Sequence, residues 1–119
     1  MNELNPRVSI DYSPNATIVT LMDEKILEQE VIQSLEDSIM PLVSFASGIN
    51  LLIDFSQVEF LSSSVLGLLI RISKRVYEFD GSMRLCGINP KIAQIFKITR
   101  LDEVFAIFDD CESAVQSFG

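Results

Sequence analysis

Three consecutive serines, Ser62, Ser63 and Ser64, are the residues of this chain whose type and spacing best suit chemistry. They follow an apolar run and a short loop, and they open a stretch of helical periodicity. One serine there has a plain use, because its hydroxyl can accept from the free N–H groups of a helix's first turn. Three exceed that need. The chemistry open to them is phosphoryl acceptance: a phosphate adds about −1.5 to −2 charges and strong acceptor oxygens. A helix N-terminus tolerates that charge through its unpaired N–H groups and the positive end of its dipole. Such a change would alter a binding surface without unfolding the domain. Serine nucleophilic catalysis is disfavoured, since the chain has no His and no GxSxG or SxxK pattern surrounds the run.

The other reactive groups read as structural. Cys86 and Cys111 lack CxxC spacing and cannot make a four-thiolate zinc site. Cys86 falls in a predicted strand and reads as a small buried hydrophobe rather than a redox sensor. Cys111 stands near a helix start without an evident cationic partner. A chain of 119 residues can bury enough surface to need no disulfide or metal staple. Asp109 with Glu112 resembles a capping pair, and Asp109, Asp110 and Glu112 suit helix capping better than a cation. Arg71, Lys74 and Arg75 lie at helical spacing and read as a solvated face, and Met22, Met40 and Met83 as packing. Nine basic against seventeen acidic residues give a net charge of −8, which argues against nucleic acid as a partner. No apolar run reaches the length of a membrane span. Met1 to Pro6 lacks the apolar core of a signal peptide, so the expectation is a cytoplasmic protein without a membrane partner. No cofactor is expected.

Positioning the serines requires an ordered frame. Val8, Ile10 and Tyr12 alternate with polar residues and predict a strand. Ser13-Pro14-Asn15 is turn chemistry, and Ala16 to Leu21 predicts the second arm of a hairpin. Glu28 to Ala46 has apolar residues at helical period, with Pro41 expected to kink or divide that helix. Ile49 to Phe55 is apolar with little alternation, as in a strand covered on both faces. Ser56 to Leu61 is a loop, and Ser62 to Phe79 a helix with Val65, Leu69, Ile72, Val76 and Phe79 on one stripe. Met83 to Ile88 predicts a strand. Asn89-Pro90 predicts a helix start with Asn as the cap. Val104 to Phe108 is a last strand, and Ala114, Val115 and Phe118 belong to a short last helix. The order predicts an α/β domain, mostly parallel with an antiparallel first strand, over 1–119 with its core at 8–118.

The stretch LLIDFSQVEFLSSSVLG, from Leu51 to Gly67, resembles the signature of STAS domains of the anti-sigma factor antagonist type. That pattern is an apolar strand, Asp-Leu-Ser, a loop with an aromatic, then Asp-Ser-Ser-Gly-Leu-Gly opening a helix. Gly81 to Pro90 resembles the family's glycine turn, strand and Asn/Ser-Pro helix start. Thr99 to Phe105 resembles Thr-Gly-Leu-x-x-Val-Phe, with Arg100 in place of the Gly. The resemblance implies a protein-interaction module, not an enzyme, that binds an anti-sigma factor serine kinase and so releases a sigma factor. It implies phosphorylation at Ser63, with Ser64 the rival, and resetting by a PP2C-type phosphatase. It also implies a partner surface at Ser62, Ser63, Ser64, Val65, Asp23 and Glu24. Ser62 replaces the motif's Asp, Val65 its Gly, and Ile26 an acid at the start of the family's first helix, with Asp23 and Glu24 just before. These departures leave open a phosphorylation-independent scaffold or regulatory module. A ligand-binding domain or enzyme at the same loop is a third reading, disfavoured by the absence of His and of a glycine-rich phosphate loop.

Overall fold

Alternating and continuous apolar runs build one sheet. The computed structural model describes residues 7–45 and 47–118. Met1 to Pro6, read as free of a signal peptide, and Ala46, read as the last apolar position of the first helix, lie outside the described residues. Strands β1 (Val8–Tyr12), β2 (Thr17–Leu21), β4 (Asn50–Asp54), β6 (Ser82–Cys86) and β7 (Ala106–Phe108) form the sheet in that spatial order. The β1–β2 pair is antiparallel and the others are parallel. Two further strands, β3 (Lys25–Ile26) and β5 (Phe60–Leu61), make a separate parallel pair. The hairpin turn is closed by Ser13, whose N–H donates to the Ala16 carbonyl at 2.8 Å.

Spatial order follows chain order from β1 to β7, so right-handed crossovers must place their helices on one face of the sheet. The core agrees. Alternation along the strands turns Val19, Leu51, Ile53, Met83 and Leu85 to one side. There they pack with residues of α1 (Gln29–Ser44), α2 (Ser63–Glu78) and α3 (Pro90–Ile98). On the other side Leu52 and Cys86 meet Ala114 of α4 (Cys111–Phe118) in a second, small core rimmed by Ile18, Phe108, Val115 and Phe118. The expected inner strand is thus the middle one, with Leu51, Leu52 and Ile53 fully buried.

Several local expectations are corrected. Pro41 does not divide α1, which runs continuously through it. It stands in the last turn, and the carbonyl it leaves unpaired belongs to exposed Asp37, which water can serve. The last strand begins at Ala106 because Leu101–Glu103 winds into a 3₁₀ turn behind Arg100, which takes a left-handed φ of 63°. The α4 cap is Asp110, not Asp109. Its Oδ1 accepts from Ser113 N–H at 2.7 Å, the N3 position of a helix that starts at Cys111. Arg71 and Arg75 are more than a solvated face: Arg71 pairs with Glu36 at 2.9 Å and Arg75 donates to the Ser44 hydroxyl at 2.9 Å, joining α1 to α2. Met83 is buried and Met40 packs on the core, whereas Met22 is exposed. Phe79 ends the α2 stripe partly exposed, since it is already the C-cap. Cys86 is fully buried, but the two cysteines are not independent: Cys86 and Cys111 form a disulfide. Their separation of 25 residues hides a pairing that only the docking of α4 creates.

Candidate functional site

The serine run sits where β5 hands the chain to α2, and the path to it is fixed at each step. Asp54 ends β4, and its Oδ1 accepts from Ser56 N–H at 2.8 Å, turning the chain out of the sheet. Phe55 N–H donates to the Cys86 carbonyl at 2.9 Å and Val58 N–H to the Phe55 carbonyl at 2.9 Å. The side chains of Phe55 and Val58 are buried. Gly87, at φ 72°, lets the chain after β6 press against this turn; a Cβ there would lie 3.0 Å from both Asp54 Oδ1 and Ser56 N.

Two supports then hold the rest of the loop. Asn89 caps α3, as its sequence position predicts, by accepting from Ile92 N–H at 2.9 Å. Its Nδ2 donates at 3.2 Å to the carbonyls of both Val58 and Glu59. From the other side, the Glu24 carbonyl accepts from Glu59 N–H at 2.8 Å and Phe60 N–H at 3.1 Å, and Ile26 accepts from Ser62 N–H at 3.0 Å. The β3–β5 pair therefore sets the segment of Asp23 and Glu24 beside the serine loop.

Ser62 is the N-cap residue, but its hydroxyl makes no capping bond. The ladder bond to Ile26 turns it inward, and its Oγ is buried without a partner among the described residues. Ser63 and Ser64 are exposed in the first turn of α2. Among the described residues their N–H groups have no acceptor, so this helix end keeps two free donors. Val65 is 1% exposed and packs into the core, so its side chain offers a partner no surface. Asp23 is tied to Arg7 at 2.9 Å, while the side chain of Glu24 is exposed.

The structure adds residues that the serine-centred reading did not weigh. Phe60 is 40% exposed, with the ammonium groups of Lys91 and Lys25 at 5.2 and 6.0 Å from its ring centre. It lines an open cleft of about 420 Å³ with Glu59, Asn89, Pro90 and Lys91. Met22 and Leu27, flanking β3, are also exposed. The aromatic of the signature marked Phe60, but nothing local in the sequence pairs it with two lysines. The loop thus leads from the apolar–cationic rim at Phe60 to the helix end where Ser63 and Ser64 are exposed.

Comparison with known proteins follows the same lines. The family described as STAS domain matches residues 7–114. BtrV of Bordetella bronchiseptica, named as a candidate anti-sigma factor antagonist, is 23% identical over 66 residues, or 56% of this chain and 57% of BtrV. The match thus spans little more than half the length of that relative. A STAS domain protein of Planctomyces limnophilus, described as an anti-sigma-factor antagonist, superimposes with a TM-score of 0.86 at 22% identity, over 93% of this chain and 97% of the other. SpoIIAA, a Bacillus cell fate determinant solved in its phosphorylated form, gives a TM-score of 0.72 at 14% identity, over 92% and 97%. At such identities the likeness to these structures is one of fold.

Proposed function

Because this chain belongs to the STAS domain family, a non-enzymatic regulatory family, we propose that it is an anti-sigma factor antagonist switched at Ser63. In its unmodified state the surface around Ser63, Glu24 and Phe60 binds an anti-sigma serine kinase, and a sigma factor is released. The kinase then transfers the γ-phosphoryl group of ATP to Ser63 Oγ, the hydroxyl proton is lost and ADP leaves. The added charge falls on a chain already at −8 and at a docking surface, so it weakens the complex by repulsion and lost close contact. A PP2C-type phosphatase restores the serine. Residues 8–118 form the core of the one domain that does this, in the cytoplasm. No helix among the described residues is long and apolar enough to cross a membrane.

The observation that supports this reading best is the pairing of an exposed Ser63 hydroxyl with two N–H groups that have no acceptor among the described residues, at the start of a 16-residue helix. A phosphate there meets donors and a favourable dipole, so the fold accepts the charge that the partner does not. SpoIIAA carries a phosphate on the same fold. The test is to mix the purified chain with a co-encoded serine kinase and ATP and to map the product by mass spectrometry. Phosphate on Ser63 is expected, together with weaker kinase binding and a nearly unchanged melting temperature in Ser63→Asp. Phosphate on Ser64, with Ser63→Ala still fully modified, rejects the assignment. Absence of modification at either serine leaves the phosphorylation-independent regulatory module in its place.

A further inference from the structure

We propose that Cys86 and Cys111 are a reversible dithiol–disulfide site whose redox state sets how firmly α4 is seated on the sheet. Cys86 ends β6 and is fully buried, while Cys111 is the first residue of α4 and is partly exposed. Their Cα atoms are 5.4 Å apart, inside the usual range for a bridge, and the sulfurs are joined. Among the described helices, α4 alone packs in the second core, where Ala114 meets Leu52 and Cys86, and the Arg84 guanidinium lies 4.1 Å from the Phe118 ring centre. A helix of eight residues does not hold itself together in water, so its docking contacts decide whether it forms. A covalent tie at its first residue shifts that balance directly.

The chemistry needs an external dithiol. Its thiolate attacks the sulfur of Cys111, the less buried residue of the two, and Cys86 departs as a thiolate and takes a proton. The reductant's second thiol then displaces Cys111, which is also protonated. Two electrons and two protons pass to the protein, and the reductant leaves as a disulfide. Hydrogen peroxide reverses the change, taking up two electrons and the two thiol protons to give two waters.

The test uses the full chain treated either with dithiothreitol or with oxidised glutathione. Thiols are counted by alkylation after denaturation, and amide exchange is followed by mass spectrometry. Two thiols are expected after dithiothreitol and none after oxidised glutathione. Exchange across residues 111–118 should be about tenfold or more faster in the reduced chain, with 63–78 unchanged. Two thiols surviving oxidised glutathione, or equal exchange of α4 in both states, would overturn the proposal. One zinc ion bound per chain in native mass spectrometry, with two thiols counted after denaturation, would also overturn it, because Asp54 lies with both sulfurs inside 4.8 Å and would share a metal site with them instead.

Discussion

Leu52 and Ile53 are adjacent on β4, both fully buried, and face opposite cores. Cutting either back to alanine removes three carbons, a transfer loss of about 2.4 kcal/mol at roughly 0.8 kcal/mol per carbon. What differs is the cavity left behind. Ile53 belongs to the large core shared with α1 and α2, sixteen residues each and joined by the Arg71–Glu36 pair, so the hole stays open. Leu52 is covered by the eight residues of α4, which can settle into the space. Ile53→Ala should therefore cost about 3.5–5 kcal/mol and Leu52→Ala about 2–3 kcal/mol, at the two ends of the range for such substitutions. Urea unfolding of the oxidised proteins, followed by far-ultraviolet circular dichroism, reads the difference. With a slope of about 2 kcal/mol per molar, the midpoints fall by about 2 M and about 1.2 M. Equal losses, or a larger loss for Leu52→Ala, would refute the argument that one face is braced and the other yielding.

Arg100 holds φ 63°, a conformation that strains a side chain by about 1–2 kcal/mol, so Arg100→Gly should stabilise the fold by about 0.5 kcal/mol after the gain in unfolded-state freedom; an unchanged or lower melting temperature counts against this. Gly81 has the Ile49 carbonyl oxygen 2.5 Å from where a Cβ would stand, so Gly81→Ala should lose about 1–3 kcal/mol by calorimetry, and a neutral result would show that β6 shifts freely. The backbone bond from Ser113, and then its hydroxyl, hold the Asp110 carboxyl below its ordinary pKa. The bond's contribution is therefore present above the ordinary aspartate value and is lost as pH falls through the lowered folded one. An NMR titration should place the Asp110 midpoint below that of an unstructured aspartate, and a midpoint at or above it would contradict the cap.

What the sequence made legible was what repeats along it. The unbroken run from Ile49 to Phe55, the stripe from Val65 to Val76 and the Asn89-Pro90 start each carry their signal locally, and each is found in place. The β3–β5 pair was not legible because two residues cannot display a period, and its partners lie 35 positions apart. The cap at Asp110 differs by one residue from the reading at Asp109, since neighbouring aspartates look alike until the helix phase is known. The serine run pointed to the helix start, but the fate of Ser62 depends on the Ile26 carbonyl across the β3–β5 pair. The cysteine pairing depends on α4 docking on the opposite side of the sheet from the other helices.

The agreement between chain order and strand order also has a consequence for synthesis. As the chain leaves the ribosome, each new strand of the sheet can join an edge that the previous one left free, and none must be inserted between two that are already paired. The waits after β2 and after β4 are the long ones, and the edge left by β4 is the more apolar. Until β6 emerges, one whole crossover later, the buried triplet Leu51 to Ile53 forms an apolar edge open to other chains. At about 5–20 residues per second that exposure lasts for seconds. Nascent chains halted between Asp54 and Ser82 are the ones expected to aggregate.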